Sequence, residues 1–280
     1  MQPKDLDQGF MTFAQGEQYL QCAYLLALSV KLHCKHNNFT VVVDHATEQN
    51  ITESMQSVFD NVIAIDSMQP FRNECLAWNL TPYKETIKLE SDMLVTSSLD
   101  HMWSLCRTND VAFTNSVANY RSETVDDSEY RSMWRENCLA NVYNGFMYFR
   151  HCVDTMNFFK LALDIFDNYS IFKDKLLKNC RHDKPDTDIV FSIAASLSDL
   201  DTQNRHLRFV HMKQHVNQFE TPDWRDAVSY SLTDDNIFIV NGYAQTLPFH
   251  YYEKDFCTQE LISSYEQRVF RSIRTKFAID

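Results

Sequence analysis

Two carboxylates two residues apart, Glu90 and Asp92, directly follow an apolar run in the segment Thr81-Pro82-Tyr83-Lys84-Glu85-Thr86-Ile87-Lys88-Leu89-Glu90-Ser91-Asp92-Met93-Leu94-Val95. On an extended chain, side chains two apart point to the same side, so the pair converges on one point where the strand ends. Carboxylate oxygens gathered there suit a hard divalent cation, Mg²⁺ or Mn²⁺, with positions left open for phosphate oxygens. Taken alone, an E-x-D triplet at a strand end is more often a turn with solvated carboxylates. The metal reading therefore depends on what the rest of the chain brings to that point.

The flanking sequence alternates strand and helix patterns. Gly9 to Ala14 reads as a strand, and Gln18 to His33 as a helix with Leu20, Tyr24, Leu28 and Leu32 on its apolar face. Phe39 to Val43 and Asn61 to Ile65 read as strands with a helix at 52 to 59 between them, and Thr86 to Leu89 is the fourth strand. This is the order of an α/β domain with a mostly parallel sheet. Further on come a strand at Asp110 to Phe113 and a polar segment, 119 to 137, read as a solvated loop or a lid. A strand from Asn141 to Phe149, interrupted at Asn144-Gly145, follows. Then come helices at 152 to 166, 171 to 179 and 187 to 197, and a strand at His206 to Val210. Short strands at 228 to 232 and 237 to 240 precede a last helix at 258 to 275. The expected division is a catalytic domain at 1–219 and a C-terminal extension, 220–280, packing on the core.

Composition closes off several function classes. A chain of 280 residues with 44% hydrophobic and 13% aromatic residues can bury a large core. Its net charge of -12 argues against a surface that is one polyanion-binding field. The four glycines, Gly9, Gly16, Gly145 and Gly242, assemble neither a GxGxxG loop nor a GxxxxGK[ST] cradle, so any nucleotide is held otherwise. The eight cysteines include no CxxC pair and read as reduced, mostly buried thiols. No stretch reaches the roughly 18 apolar residues of a membrane span. The expectation is a cytoplasmic enzyme with no membrane partner.

Around the carboxylates, Trp78, Leu80-Thr81 and Tyr83 resemble the residues that precede the metal-binding DxD segment of GT-A nucleotide-sugar glycosyltransferases, in particular the glycogenin-like family. Here Glu90 stands at the first Asp. Thr12-Phe13-Ala14 with Tyr19 resembles the first strand and following Tyr that hold uracil and ribose. Asn144-Gly145 sits where the family has Asn-Ser-Gly beside the donor sugar, and Asp186-Thr187-Asp188 resembles its Asp-Gln-Asp. Val210-His211-Met212-Lys213 resembles its late metal-binding His followed by a diphosphate-binding Lys. Four segments in the family's order over residues 9 to 215 are far more specific than any one.

The resemblance implies a GT-A fold, a single Rossmann-like mixed sheet flanked by helices, and a UDP-sugar donor with Mn²⁺ or Mg²⁺. It implies Glu90, Asp92 and His211 at the metal, with Glu90 also placed for the ribose, and Lys213 at the diphosphate. Thr12, Phe13, Ala14 and Tyr19 fall to the nucleotide. Asn144 and Asp188 fall to the chemistry, with retention of configuration and Asp188 near the reacting carbon. Where the family carries a Lys near the donor sugar, this chain has Glu74, and Arg72 is the nearby alternative. A donor-binding module without turnover, and a metal-dependent phosphohydrolase, remain open as other classes.

For the acceptor, the run from Thr81 to Leu94 and the ending Pro248-Phe249-His250-Tyr251-Tyr252-Glu253-Lys254 more loosely resemble glycosyltransferases of tailed bacteriophages. That implies a hydroxymethylated pyrimidine of phage DNA, or a sugar already on it. Arg205, His206 and Arg208, with Arg268, Arg271, Arg274 and Lys276 on the last helix, are the basic residues available to meet it. A protein or glycan acceptor is the alternative.

Overall fold

The computed structural model describes residues 6–67, 69–180, 182–218 and 223–277, so the expected boundary between 219 and 220 lies outside the described residues. A six-stranded sheet forms the centre. Its four parallel strands are β1 (Leu6–Phe13), β2 (Phe39–Asp44), β3 (Asn61–Ile65) and β4 (Tyr83–Leu89), lying in the order β3-β2-β1-β4. Strand Tyr143–Arg150 then pairs antiparallel to β4, and strand Val111–Thr114 closes that edge. β2 reads Phe-Thr-Val-Val-Val-Asp with five consecutive buried residues, as a strand covered on both faces must.

The helix between β1 and β2, α1 (Gly16–His33), is buried without a break from Cys22 to Val30. A helix apolar all round is sandwiched. One side meets the sheet and the other meets the C-terminal helix Gln259–Phe277, where the Tyr24 hydroxyl donates to Glu266 at 2.7 Å. Helices Val153–Asp167 and Thr187–Leu197 cover the opposite sheet face through a second core that includes Phe158, Phe159 and Phe191. No helix among the described residues is long and apolar enough to cross a membrane.

Several elements differ from the sequence reading. The helix expected over 52 to 59 is only Glu53–Gln56, and the 206–210 strand is only Val210–His211. Strand Tyr143–Arg150 continues through Asn144-Gly145, but its pairing with Val111–Thr114 shifts register there, from Phe113 opposite Met147 to Thr114 opposite Tyr143, and the missing side chain of Gly145 leaves room for Phe209. Four of the cysteines (22, 34, 75 and 106) are buried, Cys138 is exposed, and none is disulfide-bonded.

Three short strands escaped the sequence reading: Met93–Leu94, Tyr243–Ala244 and Phe249–His250. Phe249–His250 lies between Met93–Leu94, antiparallel, and Val210–His211, parallel. It carries the C-terminal segment into the end of β4.

Candidate functional site

In the order β3-β2-β1-β4, chain connections leave β1 in one direction and return on its other side at β4. A crevice opens outside the carboxyl ends of strands at such a switch point, and open α/β sheets bind ligands there. A cleft of about 440 Å³ occupies this place. Thr12, at the end of β1, donates its hydroxyl to the Leu89 carbonyl at 2.8 Å and so ties the two strand ends together. The chain leaves β4 directly into Glu90, Ser91 and Asp92.

Glu90, Asp92 and His250 each offer a ligand atom, and these atoms all lie within 4.8 Å of one another. His250 Nε2 is 3.3 Å from Glu90 Oε2 and 3.2 Å from Asp92 Oδ2. The strand pairing explains it: His250 is in register with Met93 on one side and His211 on the other, so its ring stands beside the carboxylates. Lys254 Nζ also donates to Asp92 Oδ2. Burial pushes the Glu90 carboxyl up to about 7 against the pull of His250 and Lys88. Burial would raise Asp92 too, but His250 and Lys254 outweigh it and hold that carboxyl well below the usual range. His250 itself is raised, since Asp92 and Glu90 overcome its desolvation. Two carboxylates and an imidazole are a donor set that fits Mn²⁺ or Mg²⁺. Opposed shifts of this kind gather at functional sites.

The expected site residues distribute as follows. Thr12, Phe13 and Tyr19 line the cleft, whereas Ala14 is buried behind it with its N–H on the Val42 carbonyl. His211 and Lys213 line it as well. His211, expected as the third ligand, stands one strand further out than His250, with ring centroids 5.1 Å apart. Burial drives its pKa well below the ordinary imidazole value, and its Nδ1 has no hydrogen-bond partner. Lys213 reaches the Tyr252 hydroxyl at 3.0 Å.

Asn144 and Asp188 come together: the Asn144 backbone N–H donates to Asp188 Oδ1 at 2.9 Å, and Arg131 donates to Asp188 Oδ2 at 2.5 Å. Asp186 caps the helix Thr187–Leu197 through the Ile189 N–H and holds His182 Nδ1 at 2.9 Å. Gly145 permits the contact between strand and carboxylate: a Cβ there would lie 3.0 Å from the Phe209 ring and 3.4 Å from Glu90 Oε2.

Among the residues of the site that were not read from sequence as site residues are His250, Lys254, Lys88 and Arg131. His250 and Lys254 fall in the ending Pro248 to Lys254 that carries the looser resemblance. Lys88 is 1% exposed, pairs with Glu74 and lines the cleft. The signal was there, since Lys88, Glu90 and Asp92 keep the spacing of two. Arg72, the expected substitute for the missing Lys, forms a bidentate pair with Asp167 at 2.7 and 2.8 Å instead and does not line the cleft. Arg131, from the polar 119–137 segment, packs 3.8 Å from the centre of the Tyr143 ring. Its neighbour Asp127 accepts from Asn141 and Tyr143, so the acidic run is partly internal rather than only solvated.

No protein-family model matches the chain. Glycogenin-1 of Mus musculus is 24% identical over 113 residues, 35% of this chain and 34% of its own length. Glycogenin-1 of Homo sapiens is 23% identical over 113 residues, 35% of this chain and 32% of its own. The match thus spans about a third of the length of these curated relatives. Among solved structures, the apo form of the glycosyltransferase GlyE of Streptococcus pneumoniae TIGR4 aligns with a TM-score of 0.54 at 12% identity, covering 97% of this chain and 64% of that one. The galactosyltransferase LgtC, solved in complex with donor and acceptor sugar analogs, aligns with a TM-score of 0.51 at 12% identity, covering 94% and 95%. The looser resemblance to phage proteins gains no support from these comparisons. The mixed sheet, the carboxylates at its switch point and these relatives agree: the chain has the GT-A glycosyltransferase fold.

Proposed function

We propose that the chain is a metal-dependent glycosyltransferase that moves a sugar from a UDP-sugar to a hydroxyl acceptor. The observation that carries this reading is the convergence of Glu90, Asp92 and His250 at the switch point of a GT-A sheet. A divalent ion bound there would neutralise charge on the diphosphate as the sugar–phosphate bond breaks. Lys254 and Lys213, both on the cleft wall, are placed to take diphosphate oxygens. Thr12, Phe13 and Tyr19 are assigned to the nucleotide. Asp188, held by Arg131 and the Asn144 N–H, presents a fixed carboxylate edge to the sugar.

The test is release of UDP from UDP-glucose, UDP-galactose, UDP-xylose and UDP-N-acetylglucosamine with Mn²⁺. Activity should vanish in EDTA and return with added Mn²⁺. Absence of both UDP release and calorimetric UDP binding sinks the proposal. The Lys254–Asp92 pair favours a second reading, a module that binds donor without turnover, because an ammonium already occupies the carboxylate. UDP binding without release from any donor would select it.

Of the basic residues on which the DNA acceptor expected from sequence draws, none with a described side chain lines the cleft. Arg268 donates to the carbonyls of Ser264, Leu232 and Thr233, and Arg208 to Thr124. None of Arg205, Arg208, Arg268 and Arg271 lines the cleft, and the side chains of Arg274 and Lys276 lie outside the described residues.

A further inference from the structure

A second cavity, of about 710 Å³, opens beside the first, and Tyr130, Trp134 and His182 line both. A chain of contacts orients the two. From Asp92 and His250 the cleft wall runs through Glu90 to Gly145, then Asn144, then Asp188. From there it continues through Asp186 to His182, whose ring meets the Trp134 ring edge-on at 5.6 Å. On the transferase reading, a diphosphate at the metal-ligand end would direct the donor sugar toward Asp188, and the groove would begin where that sugar ends.

The groove is lined by the exposed Tyr130, by the largely buried Trp134 and by polar side chains. Tyr130 is 52% exposed, and Trp134 is fixed by its Nε1–H on Ser192 at 2.7 Å. Glu129, Glu136, Ser132 and Asn179 supply the polar groups. Rigid rings cover the apolar faces of a sugar, while ionised carboxylates only accept and so take its hydroxyl protons. The same carboxylates repel phosphodiesters, in a chain whose net charge is already -12.

Resting on the transferase reading above, we propose that this groove seats the acceptor, and that the acceptor is an uncharged carbohydrate rather than a nucleic acid. Its hydroxyl oxygen, reaching past Trp134 and His182, forms the new bond to the anomeric carbon. The bond from that carbon to the diphosphate oxygen breaks, the electron pair leaves with UDP, and the hydroxyl proton passes to the departing diphosphate.

The experiment uses the full chain and the charge-reversed variant Glu129→Lys/Glu136→Lys, both positions being exposed and apart from the donor cleft. Binding of a panel of p-nitrophenyl glycosides (α- and β-glucoside, galactoside, xyloside) and of maltotriose is followed by saturation-transfer NMR. Binding of a duplex carrying 5-hydroxymethylcytosine is followed by fluorescence anisotropy, and UDP binding with Mn²⁺ by calorimetry. We expect at least one carbohydrate to bind and to be glycosylated, with its Kd and KM raised about 10-fold or more in the variant. UDP binding and donor hydrolysis should be unchanged. If no carbohydrate binds, or if one binds equally well to the variant, the groove proposal is overturned. It is overturned too if the duplex alone is glycosylated. Failure of UDP binding while carbohydrates still bind through the groove would remove the transferase reading instead.

Discussion

Lys88 and Glu74 form an ion pair in the wall of the cleft, with the Lys88 side chain 1% exposed and that of Glu74 14% exposed. Glu74 also accepts from Asn144 Nδ2 at 2.5 Å, and Asn144 Nδ2 in turn contacts Thr187 Oγ1 at 3.0 Å. One carboxylate thus joins the turn Asn73–Leu76, β4 and the strand Tyr143–Arg150 beside the metal-ligand group. It also places a cation where the sequence, with Glu74, had placed an anion.

Removing half of that pair leaves a charge without a partner in a low-dielectric wall. Glu74→Gln should therefore cost about 3 kcal/mol of stability, measured by urea unfolding, because a buried ammonium loses its counter-ion. Glu74→Leu combined with Lys88→Met should recover most of that loss. Equal stability of wild type and Glu74→Gln would show that Lys88 is paired otherwise.

The identity of the metal-binding histidine is decided by comparing two variants. His250→Ala should weaken Mn²⁺-dependent UDP binding roughly 10- to 100-fold or more, since even groups supporting a ligand carry that much affinity. His211→Ala should act less strongly, through the packing of the neighbouring ring. Calorimetric titration of UDP with Mn²⁺ checks both. The reverse order would return the ligand role to His211.

Asp188→Asn is nearly isosteric and keeps an acceptor for the Asn144 N–H while removing the charge that faces Arg131. UDP binding should stay near wild type while turnover falls by roughly two orders of magnitude or more, as expected of a group that stabilises charge in the transition state. Turnover by rapid quench, beside UDP affinity, separates the two effects. Unchanged turnover would mean that the donor sugar lies elsewhere.

His182 gives the fold a pH dependence. Its hydrogen bond to Asp186 raises its pKa above the ordinary 6.5, so the folded state holds the proton more tightly than the unfolded chain. The stabilisation is full below about 6.5 and is lost as pH rises through the higher folded value. Thermal unfolding of the wild type between pH 6 and 8 should show this fall, and His182→Gln should reduce the slope. The group is half-buried, so solvent screens the effect. An identical slope in the variant would assign the dependence to other groups.

Local pattern and periodicity determined much of this protein. The buried β-branched run of β2, the continuous apolar stretch of α1 and the helix Thr187–Leu197 after its Asp186 cap are each legible in the local sequence. Glu90 and Asp92 were legible as a spaced pair beside an apolar run, but β4 ends at Leu89 and Asp92 lies in the turn that follows, so it is the path of that turn that brings them together. What lay beyond the sequence were relations between distant segments. Phe249–His250 is two residues long, too short for any period to announce it, yet its pairing with Met93–Leu94 puts His250 against carboxylates some 160 positions earlier in the chain. The Lys88–Glu74 pair is likewise a balance of charges between a strand and a turn, visible only once packing excludes water from both. Periodicity records which face of an element is buried. It does not record which partner is buried against it, and the partners, His250, Lys254 and Arg131, were chosen by the tertiary structure.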